Sequence, residues 1–266
     1  MDSAARGERA LSNADGDGDD AAIPLWSPED GVRRVLMVTA HPDDVDFGSA
    51  GTVAAFTDAG LEVTYCICTN GEAGGSDRAM SRGEMAALRQ DEQRAAAATV
   101  GVSDVRFLGH PDGRVQPSIE LRRDISRVIR EVRPERVITQ SPERNLDFIY
   151  ASHPDHLAAG EAAVDAVYPD ARNPFAHPEL LESEGLEPWS VRELWIMGLG
   201  KPASGIAVET TATVERKVAA LMCHKSQLPD PDGTAERIRT WAGVAGETAG
   251  LPAGRSAEMF RVINIP

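Results

Sequence analysis

Positive charge is scarce in this chain. Its 266 residues carry 27 Lys and Arg against 42 Asp and Glu, a formal net charge of -15. A polyanion would be repelled by that balance, which argues against nucleic acid or an anionic membrane surface as partner. Cysteine is scarcer still, with three residues. Cys66 and Cys68 alternate along an apolar run and make neither a disulfide framework nor a zinc pattern, so core thiols in a reducing cytoplasm are expected. No run approaches the roughly 20 continuous apolar residues that a membrane span needs. Met1 to Ala22 lacks the apolar core of a signal peptide, and 1–30 reads as a disordered acidic tail rich in Asp, Gly and Ala. With 42% hydrophobic residues overall, the remaining 31–266 is long enough to bury one core as a single domain.

Strand and helix patterns alternate over the first two thirds. Arg33–Thr39, Leu61–Thr69, Asp104–Leu108 and Arg136–Thr139 are short and apolar or β-branched, and predict strands. Between them Gly51–Ala59, Ser81–Val100 and Ser118–Val132 carry helical spacing, with Ser81 and Glu84 forming a capping box. The alternation predicts an α/β fold, Rossmann-like in its layers, with a mostly parallel sheet flanked by helices. The last third departs from that order. Val191–Met197, Ile206–Glu209 and Glu258–Ile263 are strand-like, and Thr213–His224 and Ala235–Ala245 helical, which predicts a C-terminal strand and helix extension. Pro169–Trp189 is polar, Pro-rich and aperiodic, and reads as an insertion near the mouth of a pocket.

The chemistry gathers at strand ends. Ala40-His41-Pro42-Asp43-Asp44 follows the first strand, where open α/β sheets bind their ligands. His41 and Asp44 can converge on one divalent cation, which leaves Asp43 for proton chemistry. A polar loop with a capping aspartate is the plain alternative for so short a motif. Ser152-His153-Pro154-Asp155-His156, just before the helical pattern Leu157–Val167, shifts the balance. His41, Asp44 and His156 then make three ligands, and three protein ligands with an open position is the arrangement of a catalytic zinc. Other polar residues have plainer readings. Arg89 and Glu92 suit a solvated helix pair, His110 a turn, Tyr150 the pocket rim, His177 the surface, and His224 the core or surface. Asn70 to Asp77 lines the same crevice or merely connects, and it lacks the Lys of a phosphate loop.

The two His-Pro-Asp motifs, in this order, resemble those of the PIG-L/LmbE-like family of zinc-dependent N-deacetylases. The resemblance extends through Thr69-Asn70-Gly71-Glu72, Arg89 to Gly101 and Leu108 to Asp112, and spans about Arg33 to Ile265. It implies removal of an acetyl group from an N-acetylglucosamine-containing small molecule or glycoconjugate, with one Zn²⁺ per chain or another divalent metal in its place. It also implies roles. Asp43 would be the general base, and His153 the oxyanion stabiliser or acid. Asp155 would orient His153 or His156, while Arg89 and Asp112 would face the substrate, Asp112 gripping sugar hydroxyls. Family members are often homo-oligomers, and the resemblance extends that option to this chain. A metal-dependent hydratase or lyase, a thiol-conjugate amidase and a non-catalytic sugar-binding protein are the rival readings. One departure stands out: the family's usual Glu after the second Asp is Val45 here, so a carboxylate that orients a ligand has to come from elsewhere, Asp46 being nearest.

Overall fold

A computed structural model describes residues 23–75, 77–147, 149–198 and 205–266. Its centre is β1 (Arg34–Thr39), in which five of six residues are buried. A strand with no watered face has to pair on both sides. It does so with β2 (Glu62–Thr69) and β4 (Arg136–Thr139), both parallel to it. The other strands are β3 (Asp104–His110), β5 (Glu193–Met197), β6 (Gly205–Glu209) and β7 (Ala257–Asn264). Sheet order is β3-β2-β1-β4-β5-β7-β6, with β7 antiparallel to both of its neighbours and the first five strands parallel. The expected parallel sheet and C-terminal extension are thus present. From β1 the chain steps outward to β2 and β3, then returns to the opposite side with β4. That reversal makes the β1/β4 carboxyl edge the switch point, where a crevice opens in such sheets.

The helices are α1 (Asp44–Gly48), α2 (Ala50–Asp58), α3 (Arg82–Thr99), α4 (Ile119–Val132), α5 (Pro154–Asp165), α6 (Pro178–Glu182), α7 (Val214–Leu221) and α8 (Pro231–Thr248). Alternate residues of β1 feed two cores, as a period of two requires. Val35 and Met37 pack with Val53, Phe56, Ala96 and Trp195 on one face. Leu36 and Val38 pack with Leu121, Ile125, Ala159 and Ala163 on the other.

Several boundaries differ from the sequence reading. Helix α5 begins at Pro154, not Leu157, because His153 Nδ1 accepts the Asp155 N–H (3.2 Å) and Pro154 sits in the first turn. Residues 23–30, expected in the tail, pack on the domain instead. Ile23 is buried, Trp26 N–H donates to Ala207 O (2.8 Å), and the Trp26 ring lies 4.7 Å from Phe56. The stretch before Ile23 lies outside the described residues. His177, expected at the surface, is buried with Nε2 3.2 Å from Asp170, which Arg122 also holds. Arg130, itself buried, donates to the carbonyls of Asp170, Ala171 and Asn173, so the Pro169–Trp189 insertion is tied to α4.

A buried pair fastens the extension to the rest. Lys217 Nζ lies 2.5 Å from Glu258 Oε1, and the same carboxylate accepts the N–H groups of Gly51 and Thr52 at the start of α2. Removing one partner strands the other charge, so Glu258→Ala should destabilise the fold by about 3–5 kcal/mol. Denaturant melting checks this, and Lys217→Met in the same background should recover part of the loss.

Candidate active site

The turn after β1 is pinned from both flanks. Ala40 N–H donates to Gln140 Oε1 (2.9 Å) beyond β4, and Thr69 N–H at the end of β2 donates to Ala40 O (2.9 Å). His41 N–H then donates to Asp44 Oδ2 (2.7 Å), which closes the turn and keeps the two side chains together. From the far side α5 presents His153 as its cap and His156 three residues on, neighbours on one helix face. Three imidazoles converge. The His41–His153, His41–His156 and His153–His156 centroids are 5.0, 5.2 and 5.3 Å apart.

Asp44 lies against this cluster, with Oδ1 3.0 Å from His156 Nε2 and Oδ2 3.5 Å from His41 Nδ1. The other nitrogen of His41, Nε2, lies 3.2 Å from both Asp112 Oδ1 and Asp155 Oδ2. Among the described residues, two donor groups are compact enough for a metal ion: His41 with His153 and His156, and His41 with Asp112 and Asp155. In the second group the carboxylates are already engaged. Asp112 accepts the Ala73 N–H (2.9 Å), and Asp155 accepts those of Gly113 (2.7 Å) and Val115 (3.2 Å). Burial opposes charge on His41, yet hydrogen bonds to Asp112, Asp155 and Asp44 prevail and push its imidazole up to about 12. A site that holds one imidazole so firmly positive is a site that favours a cation. Burial also opposes charge on His156, and Asp44 again prevails, raising it. His153 goes the other way: burial and then the two neighbouring imidazoles depress it, and Nδ1 accepts the Asp155 N–H, which leaves Nε2 as the ring's donor.

Asp43 stands beside the cluster without being bonded into it. Its backbone is left-handed (φ 95°, ψ -23°), which costs a non-glycine residue about 1–3 kcal/mol. Burial, then the charge of Asp44, lifts its carboxyl to about 6 against Arg89, His224 and His41. Arg89, expected at the substrate, is buried and spends its guanidinium on the protein. It donates to Asp43 Oδ2 (3.1 Å), Pro42 O (2.7 Å) and Gly71 O (3.0 Å). That approach explains a glycine: a Cβ on Gly71 would sit 2.7 Å from the guanidinium. Glu92 does not pair with Arg89; it accepts from Ser226 N–H (2.8 Å) and Oγ (2.6 Å). Asp112 and Asp155 both face His41, so Asp155 meets His153 through its backbone and His41 through its side chain. Asp46 is fully buried and bonds Gln93 and His224, away from the three clustered imidazoles. His110 pairs with Asp124 (3.1 Å), and the side chain of Tyr150 lies outside those described.

Three histidines and three aspartates at the switch point of a parallel sheet define an α/β protein whose crevice can hold a metal ion. A family model described as GlcNAc-PI de-N-acetylase, PIG-L, matches residues 36–167. Diacetylchitobiose deacetylase of Thermococcus kodakarensis is 32% identical over 203 residues, 76% of this chain and 73% of that protein. A probable N-acetyl-alpha-D-glucosaminyl L-malate deacetylase 2 of Bacillus anthracis is 36% identical over 203 residues, 73% of this chain and 81% of that one. Among solved structures, N,N'-diacetylchitobiose deacetylase from Pyrococcus horikoshii superposes with a TM-score of 0.80 at 31% identity, covering 90% of this chain and 87% of that chain. The chain belongs to the PIG-L/LmbE-like family.

Proposed function

We propose that the chain is a zinc-dependent N-deacetylase that removes the acetyl group from an N-acetylglucosamine-containing small molecule or glycoconjugate. The observation that carries the reading is geometric: Asp44 contacts His41 and His156, while Asp43 beside it bonds Arg89 and none of the clustered rings. His41, Asp44 and His156 would hold the metal, Asp44 being the carboxylate that contacts both imidazoles. His41 would then donate Nε2–H to Asp155 and Asp112, the arrangement a ligating histidine usually has with its carboxylate partner. Zn²⁺ so held supplies Lewis acidity, polarising the amide carbonyl and acidifying water. Asp43 takes the proton of the attacking water, held in place by Arg89. His153 would stabilise the oxyanion by donating its Nε2–H as a hydrogen bond, and the leaving amine would take the proton that Asp43 removes from water. The relatives named for diacetylchitobiose and for N-acetylglucosaminyl malate support a neutral or weakly charged N-acetylglucosaminide as substrate. A chain of net charge -15 would repel a polyanion. Among the described residues no helix is long and apolar enough to cross a membrane, and the three free cysteines suit a cytoplasmic enzyme.

The test is acetate release from N-acetylglucosamine, its disaccharide and an N-acetylglucosaminyl-inositol, beside a panel of unsaturated carboxylic acids assayed for hydration. Acetate from at least one sugar is expected; hydration without acetate release would overturn the reading in favour of a hydratase. Asp112 separates two roles. If it orients His41, Asp112→Asn lowers metal affinity about 10- to 100-fold. If it grips sugar hydroxyls instead, KM rises while metal titration is unchanged. The first outcome is expected, because both Asp112 oxygens are engaged within the protein.

A further inference from the structure

The Pro42–Asp43 peptide is clamped at both ends by one helix. Arg89 and Gln93 lie four apart on α3 and therefore project from the same face. Arg89 donates to Pro42 O (2.7 Å), the carbonyl of that peptide, while Gln93 Oε1 accepts from Asp43 N–H (2.7 Å), its amide end. The Gln93 amide is fixed in turn. Its Nε2 donates to Asp46 Oδ2 (2.8 Å), and the same oxygen accepts from His224 Nε2 (2.8 Å). An amide turned over would set NH₂ against the Asp43 N–H and oxygen against a carboxylate, losing both bonds. The chain His224, Asp46, Gln93, Asp43 thus has one consistent direction of donors, and Gln93, Asp46 and His224 are all fully buried.

We propose that Gln93, locked by Asp46 and His224, is a positioning residue that holds Asp43 in its left-handed conformation and so aims the Asp43 carboxylate. The proposal rests on the reading of Asp43 as general base. A left-handed aspartate persists only where its surroundings over-determine it. Here two side chains from α3 hold the preceding peptide and a third bond, from Arg89 to Asp43 Oδ2, holds the carboxylate. Without the Gln93 acceptor, the Asp43 N–H would lose its partner and the peptide would be held at its carbonyl end alone, by Arg89.

The experiment is a double-mutant cycle on the metal-loaded enzyme, with acetate release from the N-acetylglucosaminide it turns over best. Gln93→Met keeps the side-chain volume and removes both hydrogen bonds. It should lower kcat about 10-fold or more, a part of what a general base contributes, with KM and zinc content changed less than about twofold. In an Asp43→Asn background the same substitution should have almost no further effect, because residues that act through one another are non-additive. An equal loss in both backgrounds would overturn the positioning role while leaving the base assignment intact. Full activity in Asp43→Asn alone would instead overturn the base assignment. A crystal structure of Gln93→Met supplies a readout independent of turnover: the Asp43 φ should leave the positive region. An Asp43 still near φ 95° with its carboxylate unmoved would overturn the proposal. If Gln93→Met fails to fold, Asp46→Asn, which disturbs the Gln93 lock from behind, carries the same cycle and the same structural readout.

Discussion

Asp44→Ala and His156→Ala are expected to purify without metal, where the parent chain carries about one zinc. The two residues are in direct contact, Asp44 Oδ1 to His156 Nε2 at 3.0 Å, and Asp44 also reaches His41 Nδ1 at 3.5 Å. Asp44 is therefore the carboxylate common to both imidazoles, and removing it opens two sides of the site at once. Loss of a Lewis acid forfeits several kcal/mol of barrier lowering, so kcat/KM should fall by about 10³-fold or more. Elemental analysis of the folded variants checks the metal, and circular dichroism checks the fold. The competing donor group makes the opposite forecast. Were the ion held by His41 Nε2 with Asp112 and Asp155, Asp155→Ala would empty the site and Asp44→Ala would not. Full occupancy in Asp44→Ala would decide for that group. The expected result follows from the contacts: Asp44 reaches both His41 and His156, whereas the side-chain oxygens of Asp112 and Asp155 reach His41 alone among the three clustered imidazoles.

What could be read from the sequence was what depends on short separations. Val35 to Val38 is an unbroken apolar run, as a strand covered on both faces has, and the alternation of such runs with helical spacings implies a parallel sheet flanked by helices. The capping box of Ser81 and Glu84 was legible because both of its hydrogen bonds close within four residues. His41 with Asp44, and His153 with His156, could be paired for the same reason. The insertion was harder. Nothing local says that Arg130 would bury its guanidinium against the carbonyls of Asp170, Ala171 and Asn173, 40 to 43 residues ahead. His177 reads as surface in a polar stretch until Asp170 and Arg122 are seen beside it.

Within the site, the misplaced expectations share one cause. Asp155 was expected on the histidines of its own motif, yet its side chain meets His41, 114 residues away, because the loop after β3 supplies the N–H groups that turn it there. Asp46 follows the departure at Val45 and suggested a substitute for the missing Glu. Its partner is instead His224, 178 residues away across the α1/α7 contact. Gln93 carries no signal of its own, since a glutamine on a long polar helix is ordinarily solvated. One signal was present: Arg89 and Gln93 share a face with Met85, Ala96 and Ala97, which are buried. A polar pair on the apolar stripe of a helix has to find buried partners.

Asp43→Asn should keep the metal and lose the chemistry. The substitution preserves shape, and none of the hydrogen bonds made by Asp43 runs to a proposed ligand: its carboxylate meets Arg89 and its N–H meets Gln93. Zinc content should therefore match the parent, while kcat falls by about 10²-fold or more, the scale of a positioned general base. Asp44→Asn makes the useful contrast, since metal loss there with retention in Asp43→Asn assigns base and ligand separately; the reverse pattern would exchange the two roles. The pH profile carries the same assignment. Burial and the neighbouring Asp44 charge raise Asp43 to about 6 in the metal-free site. A cation on Asp44 cancels that neighbour's repulsion and adds its own attraction, so with metal bound the value moves down from 6. Asp43 works as a base only when ionised. Activity should therefore be level above pH 6 and fall as pH drops through an acidic limb below it, and that limb should vanish in the residual activity of Asp43→Asn. A limb that persists unchanged in Asp43→Asn would belong to another group, and the base would have to be sought elsewhere in the site.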